Sequence, residues 1–121
     1  MQAMALLKFS AMEVEPESYL LDSGKLIEGN PEQRIWNYYT DPTGRFSAGV
    51  WQSEIGKWSI HYTEEEFCQL LEGVSIVTDA DGLATTLRAG DSFVIPRGFH
   101  GSWEVVEPTR KLYAIYEEPT T

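Results

Sequence analysis

The residues of this chain whose types and spacing could do chemistry cluster in its middle: Ser59, His61, Glu66 and Cys68, with His100 further on. If Phe67 and Cys68 lie in a strand, Glu66, Cys68 and Leu70 share one face, because alternate residues of a strand point the same way. A carboxylate on an apolar face is costly unless it is paired, hydrogen-bonded or metal-bound. Such a carboxylate is suited to general acid or base work. A neutral imidazole at His61 could shuttle protons or ligate a metal, or simply serve as a hydrogen-bonded core histidine. Trp51 and Trp103 are the aromatics expected to flank Glu66, where ring faces and a carboxylate together would cage an amine. His100 precedes Gly101-Ser102 and is expected at a rim. Cys68, among Phe67, Leu70 and Leu71, reads as a small buried hydrophobe.

The elements that must position these residues are short strands. Turn-forming residues recur at close intervals, among them Gly29-Asn30-Pro31, Asp41-Pro42-Thr43-Gly44, Asp81-Gly82 and Pro96-Arg97-Gly98. Between them lie runs rich in aromatic and β-branched residues: 34–39, 46–52, 58–62, 66–71, 74–78, 92–95, 103–106 and 111–116. That punctuation predicts an all-β antiparallel sandwich or barrel. Thr63 followed by Glu66 resembles a helix capping box. The β-branched Val74, Ile76 and Val77 that follow Glu72-Gly73 argue instead for a strand, a turn and a second strand. Residues 74–88 read as a hairpin around Asp79-Ala80-Asp81-Gly82. The stretch 13–21 could hold a helical turn or two near Pro16.

Composition narrows the function classes. At 121 residues, 42% hydrophobic and 23% charged, the chain fits one domain. We expect residues 1–33 to form an irregular arm packing on a single barrel domain of residues 34–121. The excess of 19 Asp and Glu over 9 Lys and Arg gives a net charge of −10, which disfavours nucleic acid and anionic membranes as partners. No apolar run approaches the ~20 residues of a membrane helix, and no signal peptide is recognisable. One cysteine excludes an internal disulfide and points to a cytoplasmic location. Apolar residues on both faces of segments such as 67–71 suggest a homodimer.

Two blocks carry a family resemblance. Glu66 and Gly73 fit the end of the pattern G-x5-H-x-H-x(3,4)-E-x6-G, with His61 four intervening residues before Glu66. Gly90, Pro96 and Gly98 open the pattern G-x5-P-x-G-x2-H-x3-N. Together these resemble the paired motifs of the cupin superfamily, in the branch of small cupins related to ureidoglycine aminohydrolase and the ethanolamine-utilisation cupin. The resemblance implies a cupin-type antiparallel β-barrel, a jelly-roll-like double-stranded β-helix. It also implies that Glu66, His61 and Ser59 face inward to one pocket, with Trp58 pointing away, and that His61 is the polar partner of Glu66. The departures are specific: Ser59 stands at the first histidine position, Gly101 at the second-motif histidine, Val105 at the asparagine, and His100 one residue early. Only His61 and Glu66 of the usual metal ligands remain in register. No tightly held metal is therefore expected; a weak divalent metal, if bound, would use His61, Glu66 and His100.

Two functions follow. One is an enzyme, hydrolytic or eliminating, acting on a small amine or ureido compound through Glu66 and His61, with Ser59, Trp51, Trp103 and His100 binding the ligand. The other is a non-catalytic metabolite-binding or assembly module that has lost the usual metal site.

Overall fold

The computed structural model describes residues 4–118. These residues form a single curled antiparallel sheet of nine strands. Its spine is β9, His100–Tyr116. One edge of β9 is shared by two strands: β4, Phe46–Ser53, pairs with its C-terminal half, and β5, Gly56–His61, with its N-terminal half. Along the other edge runs β6, Glu65–Asp79. β3, Gln33–Thr40, joins β4, while β7, Ala84–Arg88, and β8, Ser92–Ile95, both pair with β6.

The 74–88 hairpin forms in the expected register, Val74 opposite Arg88 and Thr78 opposite Ala84. Its turn uses Gly82 at φ +86°, and the Asp79 carboxylate accepts hydrogen bonds from the backbone of Asp81 and Leu83. Elsewhere the chain runs on where the sequence suggested a break. Segments 66–71 and 74–78 are one strand, β6, and Glu72-Gly73 is a bulge rather than a turn. Gly73 adopts φ +90°, and a Cβ there would collide with the Pro108 carbonyl on β9. The glycine thus lets two long strands stay paired through an irregularity that any side chain would block.

The N-terminal segment is more ordered than an irregular arm. β1, Glu17–Tyr19, pairs with β3, and β2, Leu26–Glu28, pairs with β5. The helical turns expected over 13–21 do not form: residues 12–16 are irregular, Glu17–Tyr19 is strand, and the short 3-10 pieces lie outside that stretch at Phe9–Ala11 and Ser23–Lys25. The core gathers the inward residues of β4, β5, β6, β8 and β9, with Trp51, Trp58, Leu70, Ile95, Trp103 and Tyr113 at its centre. Among the described residues no helix is long and apolar enough to cross a membrane.

Candidate functional site

Alternation along β6 turns Glu66, Cys68 and Leu70 inward, and all three are buried. Alternation along β9 does the same for Thr109, Lys111 and Tyr113. The two faces meet inside the sheet, where the Lys111 ammonium Nζ lies 3.2 Å from Glu66 Oε2. Both side chains are about as secluded as an ion pair can be, at 6% and 5% exposure. The partner of Glu66 is therefore Lys111, not His61.

Trp51 and Trp103 converge on this pair, and the cation they hold is the chain's own. Lys111 Nζ lies 4.8 Å from the ring centre of Trp51 and 4.5 Å from that of Trp103, and the two rings meet edge to face at 5.4 Å. Trp51 stands directly opposite Lys111 across the β4–β9 pair. Each indole is locked by its N–H: Trp51 Nε1 donates to Gln33 Oε1 at 2.8 Å, and Trp103 Nε1 donates to Ser75 Oγ at 3.0 Å. Gln33 is held in turn by Ser53 Oγ at 2.7 Å, and Ser75 by Thr109 at 2.7 Å. A ring face oriented this way stabilises a desolvated cation by about 2 kcal/mol or more.

Burial alone would push the Lys111 pKa down. The Glu66 carboxylate, with Tyr62 and Cys68 beside it, outweighs that effect and holds the pKa above the ordinary lysine value. Lys111 is thus a cation throughout the neutral range and no amine nucleophile. Burial pushes the Cys68 thiol up to about 12, and Tyr113 likewise to about 12. The Tyr62 phenol is raised for the same reason, opposed by Lys111 and reinforced by Glu66.

The pair forms part of the wall of a cavity of about 200 Å3. Tyr19, Tyr62 and Tyr113 contribute phenols to it, and Ile35, Trp58 and Ile60 contribute apolar surface. Glu64 also lines it, its carboxyl pKa raised first by burial and then by the charges of Glu117 and Glu66.

His61 and Ser59 do not face this cavity. On β5 the inward residues are Trp58 and Ile60, while Ser59 and His61 are exposed on the outer face. His61 stands there opposite His100 on β9, the rings 6.1 Å apart. Trp58, expected to point away, is 5% exposed in the core. The cause is one residue of register: the pattern allows three or four residues between histidine and glutamate, and the fold uses three. Tyr62, not His61, then occupies the histidine position, and Ile60 replaces Ser59. A one-residue slip reverses every side chain of a strand.

A metal does not fit this interior. Among the described residues no three His, Cys, Asp or Glu side chains gather into a ligand cluster. The Glu66 carboxylate instead faces an ammonium. Position 101 cannot supply a ligand, since any Cβ there would run into the Thr78 carbonyl. Cys68 is a buried thiol held protonated.

Lys111 is the residue that sequence reasoning missed. The signal available was its alternation with Thr109 and Tyr113, but Leu112 and Ala114 make the opposite face look equally apolar.

Comparison with known proteins agrees with this fold. No curated protein sequence matches the chain. Among solved structures, a DUF861 family protein of unknown function from Pseudomonas syringae superposes with a TM-score of 0.77 at 24% identity over 87% of this chain. The chain spans 45% of that protein's length. A DUF861 family protein from Thermotoga maritima is 36% identical over 53% of this chain and 73% of its own, with a TM-score of 0.52. The EutQ protein of Clostridium difficile gives a TM-score of 0.66 at 17% identity, covering 93% of this chain and 81% of that one. The family model of the EutQ-like cupin domain matches residues 40–113, more than half the sequence. The barrel is a cupin barrel, and the chain belongs to the EutQ-like cupin family.

Proposed function

We propose that this small cupin binds a small polar metabolite, an amine or ureido compound, in the cavity walled by Glu66 and Lys111. The observation that carries the reading is a buried ion pair set between two tryptophan faces and bordering an open cavity. A carboxylate accepts at two oxygens and an ammonium donates three hydrogens, so neither group is exhausted by one contact. Side by side they match the N–H and C=O of a ureido or amide group. The cavity, at about 200 Å3, is smaller than drug-sized sites of roughly 300 Å3 and above, which favours a ligand of few heavy atoms.

Binding is favoured over turnover. Lys111 stays protonated, and every buried side-chain nitrogen and oxygen among the described residues already has a partner. Trp51 and Trp103 act in this reading by holding Lys111 rather than by caging a ligand amine. The acidic surface and the single buried cysteine support a cytoplasmic setting. The exposed apolar Phe67, Val94 and Tyr116 support a homodimer, which light scattering returning the 13.7 kDa chain mass would refute.

Calorimetric titration of N-carbamoylglycine, glycinamide and ethanolamine tests the ligand class. At least one should bind, and Glu66→Gln should weaken it about tenfold or more while circular dichroism stays unchanged. Equal affinity for parent and variant would sink the assignment.

A further inference from the structure

The interior of the barrel leaves the two histidines of the chain unused, yet the fold sets them face to face. His61 on β5 and His100 on β9 are directly opposed residues of an antiparallel pair, both exposed on the outer face, with ring centres 6.1 Å apart and planes at 82°. They line a shallow concavity with Ser59, Gly101 and Lys25. From these observations we propose that His61 and His100 form a surface site for a late first-row divalent transition metal, zinc being the probe of choice.

Three features support it. Opposed residues of an antiparallel pair have Cβ atoms about 5 Å apart, so two imidazoles can converge on one ion by side-chain rotation alone. A tetrahedral ion with Zn–N bonds of 2.0–2.1 Å needs the two ligating nitrogens roughly 3.3 Å apart, a modest closure for exposed rings. Second, one ring is already set for ligation. His100 Nδ1 lies 3.3 Å from the Gly98 carbonyl oxygen, which can only accept, so Nδ1 is the donor and Nε2 is the nitrogen whose lone pair the neutral ring offers to a metal. A ligating histidine typically donates its other nitrogen to a carbonyl in this way. Third, Lys25 shares the concavity and opposes a cation, but the net charge of −10 draws divalent ions toward the surface.

Two imidazoles leave further coordination positions to water. The ligand set is N-donor and borderline soft, so zinc, nickel and copper are favoured over magnesium and calcium. The site is separate from the Glu66–Lys111 cavity, so it stands or falls independently of the proposed metabolite.

The test is calorimetric titration of the full chain with zinc chloride, with magnesium as control. One zinc should bind per chain, magnesium should not compete, and His61→Ala and His100→Ala should each weaken zinc about tenfold or more. Absence of zinc binding up to about 1 mM, or loss in only one of the two histidine variants, would overturn the chelate. So would variants that bind as the parent does. Both histidines are exposed, and circular dichroism of the variants checks that the fold is retained.

Discussion

On the inner face of β9, Lys111 is closed between two tryptophans and paired with Glu66; on the outer face of the same strand, His100 stands in the open opposite His61. Both pairs join groups brought together by strand register, yet their energetics differ. An enclosed ion pair depends on both partners, because removing one leaves a charge in a medium that cannot solvate it. An exposed imidazole pair is solvated with or without its neighbour, and either ring can be lost cheaply. Burial therefore ties each member of the inner pair to the other, while the outer pair makes no such demand on the fold. The same comparison explains why a cupin lacking the usual ligand histidines can still hold a polar centre: an ammonium supplies the cation that the carboxylate requires.

Lys111→Met should produce the largest effect. It strands Glu66, and loss of about 3–5 kcal/mol is expected in urea denaturation. The double variant Glu66→Leu with Lys111→Met should recover most of that loss, since two apolar side chains leave no buried charge. Independent, additive losses would break the contrast between the two faces.

Alkaline pH sharpens the same comparison. Cys68 and Tyr113, with pKa values raised to about 12 by burial, and Tyr62 and Lys111, also raised, ionise or discharge more readily in the unfolded chain. Their stabilising contribution is complete below the unfolded values of roughly 8.5 to 10.4 and is lost as pH rises through the folded ones. The urea midpoint should fall progressively above about pH 9. A midpoint flat to pH 11 would contradict the enclosed network.

Gly101→Ala is smaller again, at roughly 1–3 kcal/mol, because its Cβ meets the fixed Thr78 carbonyl. The smallest effect belongs to the outer face. His61→Ala and His100→Ala should each stay within about 0.5 kcal/mol of the parent without metal.

Much of the fold was legible because turn residues announce themselves. Asp81-Gly82 placed the hairpin, and the β-branched run after Gly73 excluded a helix. That Glu66, Cys68 and Leu70 share one face followed from alternation, and the family resemblance turned that face inward, where all three are buried. What failed was the register of β5. Ser59-Ile60-His61-Tyr62 alternates polar and apolar residues in a way that suits either face, and a motif tolerating three or four spacer residues cannot choose between them. Only pairing with β9, which sets Trp58 opposite Trp103, decides it. Lys111 escaped notice because lysine is almost never fully buried unless paired, and its partner lies forty-five positions earlier in the chain.

The most direct test of the Glu66–Lys111 centre is two-dimensional nitrogen–proton NMR of the indole N–H groups during titration with N-carbamoylglycine, glycinamide and ethanolamine. Trp51 and Trp103 donate these hydrogens to Gln33 and Ser75 while their faces hold Lys111, so the signals report on the cage. The proposal predicts saturable shifts of both indole signals with a binding compound, absent in Glu66→Gln, while the His61 and His100 ring signals stay unmoved. Indole signals that never move, or a ligand that shifts only the histidines, would contradict it.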